Sequence, residues 1–462
     1  MRILLVNPSQ YEVYGNVASP AYPPLGLGYL GAVLEKKHEV KILDVDADGL
    51  DLFSINDFLR KYKPEVIGIS ATTPTFKEAL SFAEQARLVL PMAIICLGGM
   101  HPTISPEESI KPEAIDFVVR GEGEETMLEL VEAIERGTSI LEVKGVTHKG
   151  ACGIIHNPDR KQIINLDSIP FPARHLFNQQ KYTYPDALYS PCFPIMTSRG
   201  CNGKCTYCCT KQMFIGFRVR SAKNIVDEIE FLIKEHGARE IHIWDDNFTL
   251  IKSRVFEVRD EIKARGIKIK VSFPNGIRVD SVNEEVLQAL KDMGTYSIAF
   301  GVESGNQEVL NDIKKGITLE QVETAFKIAK KIGLETWGFF MLGLPADTKE
   351  TIKETIEFAK KIDPDIAKFH ILKPYPGSEA FKQLSEKGLI TESDLSKYGI
   401  HTKPVHKLSD VTEDELLAFQ KQAYREFYLR PKKIVKQILR MKSTERIKLN
   451  IKAGLSILKV MK

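Results

Sequence analysis

The sequence predicts an α/β protein: two successive parallel-sheet units followed by a helical tail. Three observations predict it. Short β-rich runs alternate with helical stretches from residue 1 to about 136. The alternation resumes near 194, after a segment punctuated by Pro158, Pro170, Pro172, Pro185, Pro191 and Pro194, and runs to about 373. Beyond 405 only helical spacing remains.

In the first unit, strands are expected at Ile3–Val6, Val40–Asp44, Val66–Ser70, Ile94–Gly98 and Phe117–Arg120. Intervening helices make this an open, doubly wound sheet, whose ligands bind beyond the carboxyl ends of the strands. Those positions hold Asn7 and Pro8, then Ser70 and Thr72, then Gly98, Gly99, His101 and Thr103, then Gly121 and Glu122. Small residues there let a large flat ligand approach the backbone closely. No G-x-G-x-x-G opens the first helix, which argues against a nicotinamide dinucleotide. Val143–His148 and Gly153–His156 read as a hairpin inside a proline-rich linker. In the second unit, strands are expected near Ile195–Ser198, Glu240–Trp244, Lys268–Phe273, Ser297–Val302, Thr336–Met341 and Ile366–Ile371. Six β/α repeats imply a partly closed parallel barrel with working residues at the carboxyl ends of its strands. The expected divisions are 1–140, a linker at 141–193, a core at 194–400 and a helical domain at 401–462.

The core opens on Cys201-Asn-Gly-Lys-Cys205-Thr-Tyr-Cys208. A [4Fe-4S] cluster normally takes four cysteines. Three would leave one iron open to a second ligand. The competing readings are a zinc site completed by Cys209 or Cys192, a redox disulfide, or plain buried thiols. Cys209 adjoins Cys208 and reads as a packing thiol. Seven cysteines, four of them in one loop, do not form a disulfide framework and fit a reducing cytosol. Met1 leads straight into a strand without a signal-peptide layout, and no apolar run is long enough to cross a bilayer. Residues 421–462 carry 13 Lys/Arg against 2 Glu, whereas the rest carries 51 Lys/Arg against 59 Asp/Glu. The basic character therefore belongs to the tail.

The cysteine spacing, with Tyr207 at its aromatic position, resembles the radical S-adenosylmethionine (SAM) superfamily. The first unit resembles the Rossmann-like cobalamin-binding domain fused to many of its members. The match runs through Pro24-Leu25-Gly26-Leu27-Gly28-Tyr29-Leu30, Gly98-Gly99-Met100-His101 and Gly121-Glu122-Gly123-Glu124. The resemblance covers nearly all of residues 1–400. It implies a [4Fe-4S] cluster on Cys201, Cys205 and Cys208, SAM on the open iron, and cobalamin in the first domain. It also implies SAM contacts from Tyr207, Asp245, Asp246, Asn247, Arg278, Glu303, Ser304 and Gly343. Cobalamin contacts would come from Asn7, Pro8, Leu25, Gly26, Ser70, Thr72, Gly98, Gly99, His101, Thr103, Gly121 and Glu122. The family's Gly-Gly-Glu after the second barrel strand is Asp-Asp-Asn here, and no Asp-x-His stands in the first domain to place a histidine on cobalt. Carboxylates at Asp245, Asp246 and Glu303 suit the ammonium and ribose of SAM, and Arg278 suits its carboxylate.

The implied activity is reductive cleavage of SAM to a 5′-deoxyadenosyl radical, followed by methylation of an unactivated carbon through methylcobalamin. The alternatives are a cobalamin-dependent cyclisation or a non-catalytic cobalamin or redox sensor. A one-electron donor such as flavodoxin or ferredoxin is implied; nucleic acid is not. In the tail, helices are expected at Glu413–Leu429, Ile434–Met441 and Glu445–Met461. They read as a cap over the barrel mouth, or as a basic amphipathic surface for the inner membrane leaflet, which would suit a lipid or isoprenoid substrate.

Overall fold

The computed structural model describes residues 1–11 and 22–439, with positions 447 and 454. Its first sheet is built on β1 (Arg2–Asn7), β2 (Glu39–Asp44), β3 (Val66–Ser70), β4 (Ile94–Gly98) and β5 (Phe117–Val119), all parallel in the order β2-β1-β3-β4-β5. Successive side chains of β1 divide between two cores. Leu4 and Val6 pack with Ile67 and Phe76, while Ile3 and Leu5 pack with Leu34 and Met127. Helices therefore cover both faces, as the sequence implied.

The hairpin β6 (Val146–Gly150) and β7 (Gly153–His156) is not part of a free linker. It extends the first sheet antiparallel beyond β5, so this sheet has seven strands and reaches past residue 140. Arg120 leaves the strand because its N–H bonds Gly145 O at 2.8 Å, the turn that starts the hairpin.

The second sheet is parallel, in the order β15-β14-β13-β12-β11-β8: β8 (Cys192–Ile195), β11 (Glu240–Ile243), β12 (Lys270–Ile277), β13 (Thr295–Glu303), β14 (Glu335–Leu342) and β15 (Ile366–Ile371). Its first strand lies upstream of the expected Ile195–Ser198. The cause is Asp245, whose Oδ1 accepts the N–H groups of Thr197 at 2.6 Å and Ser198 at 3.1 Å. Those amides leave the ladder, and β9 (Ser198–Gly200) turns away to pair antiparallel with β10 (Phe217–Val219). β12 runs past the expected Phe273 through an irregularity between Phe273 and Ile277.

The helix Glu413–Tyr428 does not lie over the barrel mouth. It runs along β15, the edge of the sheet, and occupies its free backbone groups. Gln420 Nε2 donates to Phe369 O at 2.8 Å, Tyr424 Oη accepts Phe369 N–H at 3.3 Å, and Tyr428 Oη bonds both Ala367 N and O. The next helix is described over Pro431–Leu439. The expected helix Glu445–Met461 lies outside the described residues apart from 447 and 454. No described helix is long and apolar enough to cross a membrane.

Candidate functional site

Two features meet where the sheets face each other. The first is the cysteine loop. Gly203 N–H points at Cys201 Sγ, 3.3 Å away. A methyl placed on Gly203 would stand 3.3 Å from Cys201 Sγ, 3.5 Å from Arg278 Nη1 and 3.7 Å from Cys205 Sγ. Thr210 N–H and hydroxyl approach Cys208 Sγ at 3.5 and 3.3 Å. Cys209 turns the other way, its thiol 3.7 Å from Pro376 O. Cys192 lies on β8, buried. Neither is placed as a fourth ligand, so the donor set is three sulfurs around a glycine-lined loop. That set fits a cluster with one open iron.

Around this loop the structure gathers part of the expected SAM set. Asp246 follows β11 with its surface open to solvent, but the protein packed around its carboxyl, and then the neighbouring Asp245, raise its pKa. Arg278 holds Asp280 through two bonds, at 2.9 and 2.8 Å, and donates to Lys315 O at 2.6 Å. Glu303 pairs with Lys315 Nζ at 2.6 Å, and that ammonium lies 3.3 Å from the Tyr207 hydroxyl. Glu303 takes φ +68°, a left-handed conformation that costs a non-glycine residue energy and recurs at functional sites. Lys315, unforeseen in the sequence, gave no signal beyond a pair of lysines after a helix.

The other expected SAM residues are engaged elsewhere. Asp245 is buried; its oxygens accept from Thr197, Ser198 and Arg254. It braces the chain that leads into the cysteines. Asn247 Oδ1 accepts from Thr249 and Ser281, although its buried Nδ2 has no partner. Ser304 bonds Thr355 on the outer helix layer. Gly343 carries φ +80°, its carbonyl accepting from His406 Nε2 at 2.8 Å.

The second feature is a cavity of about 200 Å³ at the carboxyl ends of the first sheet. Gly26, Ser70, Gly98, Gly99, Gly121 and Glu122 line it, as expected. Leu27, Leu30 and Met127 make it apolar at depth. Nothing stands within 4 Å of where a side chain would project from Gly26 or Gly121. Open glycine backbone with an apolar recess behind it fits a large, flat, substituted macrocycle.

The remaining cobalamin candidates do not line the cavity. Asn7 Nδ2 donates to the buried Asp44 at 2.9 Å; Pro8 is buried, and Leu25 packs with Tyr29, Leu166 and Ile169. Thr72 bonds Thr75, and Thr103 accepts Gly121 N–H at 2.9 Å and so positions the rim. His101 is fully buried, its ring centroid 4.2 Å from that of Phe76. Burial lowers its pKa to about 4. It is a core histidine and makes no approach to the cavity.

The two features are joined by charge. Arg199 reaches across from β9 to Glu122 at 2.6 Å and Glu124 at 2.5 Å, and Arg218 bonds Glu122 at 2.8 Å. Arg199 and both glutamates are buried. Arg199 precedes Cys201 by two residues and also lines the cavity, with Met196, Met213 and Phe214. One segment, 196–214, thus carries the cysteines and closes the cavity. The clamp was missed in the sequence because Glu122 read as a cobalamin contact and Arg199 only as the residue that ends a strand.

Three cysteines and a glycine-rimmed cavity, carried by one segment and joined by a buried ionic seam, make up the site. The comparisons agree. The Radical SAM superfamily profile matches residues 195–359 and the B12 binding domain profile residues 11–131. The chain is 37% identical to the uncharacterized methyltransferase PH0819 of Pyrococcus horikoshii over 95% of both chains. It is 30% identical to the anaerobic magnesium-protoporphyrin IX monomethyl ester cyclase of Cereibacter sphaeroides, over 93% of this chain and 71% of that one. The structure of the cobalamin-dependent SAM radical enzyme OxsB, with aqua-cobalamin and SAM bound, superimposes with a TM-score of 0.78 at 19% identity, covering 100% of this chain and 71% of that one. The chain belongs to the cobalamin-binding radical SAM enzymes, whose cofactors are a [4Fe-4S] cluster, SAM and cobalamin.

Proposed function

We propose that this enzyme transfers a methyl group to an unactivated carbon of a small organic substrate. The observation that carries the reading is that the segment 196–214 serves both features, carrying the three cysteines and lining the cavity, which would bring cofactors held on either side of it together. When bound, the cluster and SAM supply a carbon-centred radical able to take a hydrogen atom, and cobalamin supplies a methyl carrier.

The chain's own residues bind and orient. Cys201, Cys205 and Cys208 hold the metal. Burial pushes the Cys201 thiol up, while Gly203 N–H and Arg278 favour its thiolate. Asp246, beside the loop and held by no described cation, is the carboxylate that would accept an ammonium, its Oδ1 taking a long bond from the Thr210 hydroxyl; Glu303, locked by Lys315, faces the same loop through Tyr207. Arg278 supplies positive charge at the sulfurs while Asp280 fixes its plane. The Arg199–Glu122–Glu124 seam keeps the two halves in register. Cys208 is exposed, which supports electron entry there from a flavodoxin- or ferredoxin-type donor.

Cyclisation is the second reading, favoured by the likeness to the cyclase. Methyl-labelled SAM separates the two: a methyltransferase leaves label in the substrate product, whereas a cyclase leaves none.

A further inference from the structure

The inner face of the second sheet is hollow on one side. From Thr336 along β14 and throughout β15, residues alternate between buried and half-exposed. The buried set, Phe340, Leu342, Ala367, Phe369 and Ile371, packs under the helices. The half-exposed set, Trp337, Phe339, Met341, Lys368 and His370, therefore faces the interior, and solvent reaches it. Across the sheet, inward-facing Glu240 and His242 on β11 are fully buried and form a closed floor.

The charges in this hollow are unequally satisfied. Glu240 accepts from Leu188 N, Tyr189 N, Tyr296 Oη and His242 Nε2, all within 2.9 Å. With Cys192, these two residues form a tight group of metal-type ligands, but the hydrogen bonds already fill the carboxylate. Asp186 takes the Tyr22 hydroxyl at 2.5 Å. The acids are thus well provided for, and the cations less so. Among the described residues Lys368 has one ion pair, a long one at 3.5 Å to Asp186, and otherwise lies over the rings of Trp337 at 4.8 Å and Phe339 at 5.6 Å. His370 has no hydrogen-bond partner among the described residues. Burial, then Lys368 and His401, lowers its pKa to about 4, so near pH 7 the ring is neutral, with one N–H to donate.

We propose that this hollow is the substrate site and that its substrate is an organic oxyanion, a carboxylate or a phosphonate, with a flat or apolar body. Lys368 anchors the oxyanion, His370 donates beside it, and Trp337, Phe339 and Met341 hold the body. Asp186 occupies the ammonium until the ligand displaces it. The substrate class rests on the enzymatic reading above, in which the reacting carbon must lie inside the barrel beneath the cysteine loop.

The test uses the holoenzyme, loaded with cluster and cobalamin, in calorimetric titrations with indole-3-acetate, phenylphosphonate and the cationic tryptamine. An acid should bind and tryptamine should not; whichever acid binds more tightly identifies the oxyanion. Lys368→Met should weaken that binding about tenfold or more, whereas Lys368→Arg should largely keep it. Asp186→Asn should tighten it, an effect that a purely structural ion pair would not give. Iron and cobalt contents equal to wild type certify each variant. The proposal is overturned if no acid binds, if tryptamine binds as well, or if Lys368→Met or Asp186→Asn leaves binding unchanged. SAM cleavage by the wild type is scored separately. Its absence with intact acid binding would remove the enzymatic reading and spare the site. Its presence without acid binding would remove the site alone.

Discussion

The two parallel sheets use the same β/α repeat to opposite ends. In the first, side chains alternate between two filled cores, and a cavity lies beyond the strand ends, where Gly98, Gly99 and Gly121 line it. In the second, the outer face is filled, while the inner face is closed along β11 and half-exposed along β14 and β15. A flat open sheet offers a cofactor one edge to lie against, whereas a sheet curved toward a barrel offers a room. The difference underlies the proposal that one sheet holds the methyl carrier and the other the reacting substrate.

The seam between them is where the comparison breaks most readily. Arg199→Met removes the guanidinium from the buried Glu122 and Glu124, leaving Glu122 with Arg218 and the Ile163 N–H. The expected loss is about 3–5 kcal/mol, with loss of bound cobalamin. Chemical unfolding and cobalt content measure it; a loss under about 1 kcal/mol with full cobalt would show that apolar packing alone joins the halves.

Asp245 and Asp246 sharpen the contrast between brace and ligand contact. Asp245→Asn leaves the buried Arg254 uncompensated and should cost about 3 kcal/mol. Asp246→Asn should leave stability within about 0.5 kcal/mol but weaken SAM binding. Equal stability losses in both would remove the distinction.

His101 reports on the packed face of the first sheet. Its folded pKa is lowered to about 4, so its neutral form is the one the fold accommodates. Its contribution is fully present above the unfolded value of about 6.5 and is lost as pH falls toward 4, amounting to at most about 3 kcal/mol. In His101→Phe that part of the acid limb should flatten in pH-resolved unfolding. An unchanged limb would assign it to other groups.

The smallest effect lies at the open edge of the second sheet. Tyr424→Phe removes the acceptor of Phe369 N–H and should cost about 1 kcal/mol, read from thermal unfolding. No change would mean that Gln420 and Tyr428 seal the edge by themselves.

The strands were legible because buried parallel strands are continuous apolar runs, and Val66–Ser70, Ile94–Gly98 and Ile366–Ile371 match end for end. The cysteine triad stood out in the sequence by its spacing. The fate of adjacent carboxylates was not: Asp245 and Asp246 differ only in which side of the strand end they leave, and burial decides the rest. His101 sat in a glycine-rich loop that suggested a ligand, yet the short helix it begins turns its ring onto Phe76. Lys368 and His370 did leave a sign, two polar residues at alternate positions in an otherwise apolar strand. That pattern states that one face is wet, and only the sheet's position states that the wet face is inside.

The most direct test of the central claim is metal and cofactor content after anaerobic reconstitution, on the wild type and on Cys201→Ala, Cys205→Ala and Cys208→Ala. The account predicts about four irons and one cobalamin per wild-type chain, with 5′-deoxyadenosine released from SAM under reduction. It predicts loss of iron and of that product in each variant. A single tetrahedral zinc in the wild type, or undiminished SAM cleavage in the variants, would contradict it.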